Sequence, residues 1–164
     1  MRLGLADAAA VAQAWDEVLA MARAANSTAE LEGVLVQTMV SPESELLLGL
    51  YRDAAFGPIL ACGPGGSGVE AAADEVEFVR PLENRAAFLE WLTATRLARR
   101  LLGSDALDTV AGALTIVAEV VRDLGDRLRE FDLNPLALVD GGRRALVLDA
   151  LAVVASESSP NASE

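Results

Sequence analysis

The chain has 164 residues, 52% hydrophobic but only 4% aromatic, so one domain with a largely aliphatic core is expected. Its 25 acidic residues outnumber 13 basic ones, giving a net charge of −12 that opposes nucleic-acid binding, where basic groups must neutralise phosphates. The absence of histidine excludes imidazole acid–base chemistry, a Ser-His-Asp triad and histidine-bearing zinc sites, and the single Cys62 excludes an internal disulfide.

Met1-Arg2 leads into Leu3-Gly4-Leu5-Ala6-Asp7 with no long apolar run, so no signal peptide is expected. The most apolar helical stretch is interrupted by Glu119, Arg122 and Asp123, which argues against a membrane span and leaves the cytoplasm as the expected location. Leu3 and Leu5 read as a short strand. Asp7 can cap a helix over 8–23, with Val11, Trp15, Val18 and Ala22 on one buried face. Trp15, Phe88 and Trp91 are the expected large anchors of the core. Strands are expected over 33–40, 45–51, 57–62 and 75–79, and the short connections between them favour antiparallel neighbours. A helix over 85–101 should bury Phe88, Leu92 and part of Trp91. Gly103 breaks it, and Ser104 can cap the next helix. Leu107, Val110, Leu114, Val117, Val121, Leu124 and Leu128 then recur at three and four, the strongest periodicity in the chain. That stripe fits packing on the domain's own sheet; a dimer seam is the competing use.

A C-terminal hairpin follows, Arg129-Glu130-Phe131-Asp132-Leu133-Asn134-Pro135-Leu136, turning at Gly141-Gly142 into Ala145-Leu146-Val147-Leu148-Asp149. A two-residue turn there pairs Asp140 with Arg143 and sets Asn134 opposite Asp149. Asp132 lies one period-two step along the same face. Two carboxylates and an amide oxygen between apolar neighbours call for a cation, and hard oxygen ligands suit Mg²⁺. The competing view makes Asp132 a surface residue and Asn134 a turn former. Residues 155–164 are rich in serine with almost nothing apolar, so a disordered tail is expected there after a domain over 1–154. The element order predicts an α+β fold: a mixed, mainly antiparallel sheet with helices on one face and the other face free for a ligand.

Between the expected strands over 57–62 and 75–79 runs Gly63-Pro64-Gly65-Gly66-Ser67-Gly68-Val69-Glu70. Glycines let backbone amides approach an anion closely, so phosphate contact is one use of this loop and an ordinary turn the other. No GxxxxGK[ST] motif accompanies it. Glu70 and Asp74 stand four apart beyond it, with Arg52 the nearest basic candidate; solvated surface charge is the alternative for all three.

Taken together these segments resemble one family. Glu45-Leu46-Leu47-Leu48-Gly49-Leu50-Tyr51-Arg52-Asp53-Ala54-Ala55-Phe56-Gly57-Pro58 is similar to the "E-hydrophobic-G-x-x-R-D-x-x-F-G-P" run of NDP-forming acyl-CoA synthetases. The glycine loop with Glu70 resembles that family's phosphate loop and acidic residue. Asp132-Leu133-Asn134-Pro135-Leu136 and Val147-Leu148-Asp149-Ala150 resemble its metal-binding hairpin. The resemblance spans Leu3 to Val154 and implies the C-terminal half of an ATP-grasp fold related to the succinyl-CoA synthetase β subunit.

By that resemblance Asn134 and Asp149 are Mg²⁺ ligands with Asp132 supporting them. Gly65, Gly66 and Ser67 lie at the phosphates of ATP or ADP, and Glu70 assists phosphoryl transfer. Arg52 is a weaker catalytic candidate, with bracing of the sheet through Asp53 as its other role. The family's chemistry passes through an acyl phosphate and a phosphohistidine, implying as partners a CoA-binding, phosphohistidine-bearing chain and a lysine-containing ATP-grasp half; a homo-oligomer is a further option.

The sequence also departs from the family pattern. The family's preceding lysine-bearing subdomain is expected to be missing, and all 13 basic residues are arginine. Glu77-Phe78-Val79 stands where a basic residue is expected, with Arg80 nearby, and the usual Arg-Gly segment is missing around Ala98-Arg99-Arg100-Leu101-Leu102-Gly103. Two functions follow: the nucleotide and Mg²⁺ half of an acyl-CoA ligase, inactive alone, or a degenerate ATP-grasp-like scaffold that binds another protein.

Overall fold

The computed structural model describes residues 1–66, 74–101 and 103–155. The chain divides into two units, Met1–Ser41 and Pro42–Glu164. Ser67, Glu70 and the tail beyond Ala155 lie outside the described residues.

The first unit is built on helix α1, Ala8–Ala25. Asp7 caps it as expected, its carboxylate accepting the Ala10 N–H at 2.8 Å. Neither expected strand of this unit forms. Residues 1–6 and 29–43 have no regular structure, and no backbone–backbone hydrogen bond involves residues 1–6 or 30–42 among the described residues. Strand propensity expresses itself only where a ladder partner is available, and here none is. Leu35 is 81% exposed, and Trp15, the expected core anchor, is 41% exposed. Only Ala14 of α1 is buried.

The second unit carries the sheet. Strands β1 (Ser44–Asp53), β2 (Gly57–Pro64) and β3 (Glu77–Val79) precede helices α2 (Arg85–Thr93) and α3 (Ser104–Leu124), and β4 (Leu128–Val139), β5 (Arg144–Val147) and β6 (Ala150–Val154) follow. The order across the sheet is β3-β2-β1-β4-β5, with β6 also paired to β4, and every pairing is antiparallel. The architecture is the expected α+β one.

Alternation decides which residues face the helices. Leu46 and Leu48 of β1, Leu60 and Cys62 of β2, and Leu136 and Leu138 of β4 are buried in one cluster with Phe88, Leu92, Val110, Leu114, Val117 and Val121. The α3 stripe therefore packs on the domain's own sheet, as the periodicity favoured. Its expected last member, Leu128, is buried but belongs to β4, because Gly125, at φ +51, ends the helix first. Burial pushes the Cys62 thiol up to about 12, with the Glu77 carboxylate adding to the shift, so this cysteine is a core hydrophobe.

Two helix boundaries differ from expectation. The helix beginning at Arg85 ends at Thr93, not Leu101. The hydroxyls of Thr93 and Thr95 bond back to the carbonyls of Glu90 and Leu92, each at 2.7 Å, competing with the helical ladder, and only a single 3₁₀ turn, Leu97–Arg99, follows. Ser104 is the first residue of α3 and makes no capping bond; Gly103, at φ +97, holds the cap position.

Candidate metal and phosphate-loop site

The sheet face away from the helices is where Asp132 lies. In the β1–β4 ladder Gly49 pairs with Asp132, between the helix-facing pairs Leu48–Leu133 and Leu50–Phe131. Beyond Leu48 the register shifts: Leu46 pairs with Leu136, so β4 advances three residues while β1 advances two. The extra residue makes a bulge at Asn134-Pro135, whose peptide bond is cis.

The outer strands follow that bulge. Val147 of β5 pairs with Leu136, Ala150 of β6 pairs with Leu133, and between them Leu148 and Asp149 form a break. Across it the Asn134 N–H donates to the Asp149 carbonyl at 3.2 Å and the Leu148 N–H to the Pro135 carbonyl at 3.0 Å. Asn134 therefore stands opposite Asp149, in the register that the turn implied. Gly141 and Gly142, at φ +71 and +79, supply the positive angles that a tight hairpin turn requires. The sequence signal for the bulge was Pro135, which cannot donate to a regular ladder.

Electrostatics tie the two carboxylates together. Burial holds the Asp132 carboxyl above its ordinary range, and the negative charges of Glu130 and Asp149 push it further in the same direction. Asp149 Oδ1 accepts the Ala150 N–H at 2.9 Å, and among the described residues its second oxygen accepts no hydrogen bond. Asn134 Oδ1 accepts one N–H and keeps a second lone pair. Among the described residues no cluster of three or more Asp, Glu, His or Cys could hold a metal. The set here is two carboxylates and one amide oxygen, all hard donors on a partly exposed face, which fits Mg²⁺.

The glycine loop reaches this site at its base. The Gly65 N–H donates to the Glu45 carbonyl at 2.9 Å, and the Gly66 N–H donates to Asn134 Oδ1 at 2.9 Å. A Cβ on Gly65 would overlap the Leu46 backbone, and one on Gly66, at φ +69, would overlap the Glu45 carboxylate. Both positions need glycine for close approach. Their amides are committed within the protein, so in this conformation neither points to an outside anion. Glu45 was not singled out from sequence as part of the site; its place in the Glu45–Gly49 run was the available signal.

Arg52 is held elsewhere. Its Nε donates to the Leu128 carbonyl at 2.7 Å, Nη1 pairs with Asp126 at 3.2 Å, and Nη2 donates to the Gly125 carbonyl. Three residues beyond Gly49 along β1, it belongs to the face opposite Asp132. The guanidinium thus closes the C-terminal turn of α3. Asp53 does not share that brace: its carboxylate accepts the Ala55 and Phe56 N–H groups at 2.8 and 2.9 Å and shapes the β1–β2 turn.

A family model described as the ATP-grasp domain matches residues 1–154. The β subunit of the ADP-forming acetate–CoA ligase II of Pyrococcus furiosus is 30% identical over 141 residues, which are 83% of this chain and 59% of that subunit. The ADP-forming acetate–CoA ligase I of Archaeoglobus fulgidus is 34% identical over 134 residues, 79% of this chain and 19% of the enzyme. The chain thus spans less than two thirds of the first of these curated relatives and about a fifth of the second. Among solved structures, a Pyrococcus horikoshii protein superposes with a TM-score of 0.81 at 26% identity, covering 93% of this chain and 66% of that one. An acetyl-coenzyme A synthetase of Ca. Korarchaeum cryptofilum, in complex with coenzyme A and Mg-AMPPCP and with its phosphohistidine segment pointing towards the nucleotide site, superposes with a TM-score of 0.70 at 26% identity, covering 93% of this chain and 67% of that one. Fold, motif order and these matches agree that the chain belongs to the ATP-grasp family and is homologous to the β subunits of NDP-forming acyl-CoA synthetases.

Proposed function

We propose that this chain is the nucleotide- and Mg²⁺-binding half of an NDP-forming acyl-CoA ligase and catalyses nothing alone. The observation that carries the proposal is the matched bulge at Asn134-Pro135 and Leu148-Asp149, which gathers Asp132, Asn134 and Asp149 on the open sheet face. In this proposal Asn134 and Asp149 hold Mg²⁺ and Asp132 supports them. Bound there, the cation neutralises charge on the nucleotide's phosphates. Gly65 and Gly66 anchor the loop on β1 and β4, and Ser67 and Glu70 beyond them are the proposed phosphate-side residues.

The partners in this proposal are a lysine-bearing ATP-grasp half and a chain carrying coenzyme A and a phosphohistidine. With no histidine and no lysine in the sequence, the chain has no residue of its own for either task. The Korarchaeum enzyme, solved with coenzyme A and a phosphohistidine segment, supports that choice.

Calorimetric titration of Mg²⁺-ADP into the chain, alone and with a lysine-bearing ATP-grasp half, tests this function. Weak or no heat alone and clear binding with the half are expected, and Asp149→Asn should abolish the Mg²⁺ dependence while leaving the melting temperature nearly unchanged. A coupled assay for ATP formation from acyl-CoA, ADP and phosphate should record no turnover by the chain alone. Absence of nucleotide binding in both settings, with a protein partner still captured by Asn134→Ala and Asp149→Ala, would instead establish the scaffold function.

A further inference from the structure

Asn134 joins two parts of the site that lie 68 residues apart in the chain: its backbone lies in the metal hairpin, and its side-chain oxygen accepts the Gly66 N–H at 2.9 Å. Gly66 has little freedom to leave. The Gly65 N–H is fixed to the Glu45 carbonyl, the Leu46 backbone fills the space where a Gly65 side chain would start, and the Glu45 carboxylate fills the space where a Gly66 side chain would start. Among the described residues no hydrogen bond ties that carboxylate to another group, so its role here is steric. The amide oxygen has two lone pairs, one used by Gly66 and one open. A cation taken up by Asp132 and Asp149 would meet the same oxygen that holds the loop.

We infer that Asn134 is a coupling residue and Glu45 a positioning residue: cation occupancy and order at the base of the glycine loop are linked through the shared Asn134 oxygen, with Glu45 setting Gly66 within its reach. This rests on the proposed Mg²⁺ site. A cation fixes the Asn134 rotamer and so holds the acceptor in place for Gly66; a seated Gly66 in turn holds the oxygen toward the cation. Thermodynamic linkage makes the two effects equal. Gly66 is thereby held on Asn134 more firmly when the metal is present than when it is absent.

The test uses the full chain, Mg²⁺ alone as ligand, and water-exchange NMR on the Gly66 amide. Mg²⁺ should slow Gly66 exchange, and Asn134→Ala should speed it about 3- to 10-fold, the value of one hydrogen bond, and remove its response to Mg²⁺. Asn134→Asp, which retains an acceptor oxygen, should keep Gly66 protected. Gly66→Ala should weaken Mg²⁺ binding by the factor by which Mg²⁺ slows Gly66 exchange in the parent, and Glu45→Ala should restore part of that loss by making room. Amide signals of Leu48 and Leu60 report whether each variant keeps the sheet, and the titration of the parent needs no variant at all. Substituting Mn²⁺ separates this inference from the site it rests on. Paramagnetic broadening at Asp132 and Asp149 with Mn²⁺, together with Gly66 exchange that Mg²⁺ leaves unchanged, overturns the coupling and leaves the cation site standing. No broadening at either carboxylate overturns both.

Discussion

Two apolar segments a few residues apart behave in opposite ways. Val34-Leu35-Val36 and Leu46-Leu47-Leu48 are similar in composition, yet the first has no ladder partner and exposes Leu35, while the second lies between β2 and β4 with Leu48 fully buried. Side-chain preference is nearly the same in both. The difference lies in neighbours: β1 has a strand on each side and two helices beneath it, whereas residues 30–42 have no backbone partner among the described residues. Strand propensity describes a fit to a pleated, half-buried surface, and it acts only where that surface exists.

Truncation in the two segments breaks this comparison most directly. Leu48→Ala or Leu114→Ala removes a fully buried side chain at the sheet–helix boundary and should cost about 2–5 kcal/mol in urea unfolding. Leu35→Ala should change stability by less than about 0.5 kcal/mol, the usual range for exposed positions. Comparable losses at Leu35 and Leu48 would mean that the 33–40 segment is packed in solution.

A smaller effect is expected at the α3 terminus, where structure and function make different claims on one residue. Arg52 bonds to two carbonyls and pairs with Asp126, so Arg52→Ala should lose about 1.5–3 kcal/mol, the range for hydrogen bonds to a charged group. Nucleotide affinity with a lysine-bearing half should stay within about twofold once measured where the variant is folded, since an unaltered site changes binding free energy little. A large affinity loss with unchanged stability would move Arg52 from the fold to the chemistry.

What was legible in the sequence follows the same division. The Asn134–Asp149 register could be read because a tight Gly141-Gly142 turn fixes pairing arithmetically. The α3 stripe could be read because its partner surface lies in the same chain. Pro135 marked a bulge, but the register that results could not be read, since β4 is set against β1, more than 80 residues away. The Gly66–Asn134 bond was hidden for the same reason, and so was the brace that takes Arg52 to Gly125 and Leu128. Local periodicity reports which face a residue occupies; it does not report which distant group will meet it there.

A smaller effect than at Arg52 is expected at Asp132, on the open sheet face of the second unit. Asp132 is partly exposed, and its carboxyl is held above the ordinary range by burial and then by Glu130 and Asp149. A carboxyl more easily protonated in the folded chain than in the unfolded one destabilises the fold when ionised. That penalty is fully present above the folded pKa and is relieved as pH falls through it toward the unfolded value of about 4. Asp132→Asn should therefore be slightly more stable than the parent at pH 7, by less than about 1 kcal/mol because solvent screens the interaction. Lowering the pH should close the gap, as the parent sheds its penalty and the variant has none to shed. Saturating Mg²⁺ at pH 7 should reverse the order, since the cation stabilises the ionised parent and finds one carboxylate fewer in the variant. Urea midpoints of both proteins at pH 4 and pH 7, with and without Mg²⁺, read all of these signs together. A parent that outlasts the variant at pH 7 without Mg²⁺ would mean that Asp132 is paired by a cationic group rather than crowded by carboxylates.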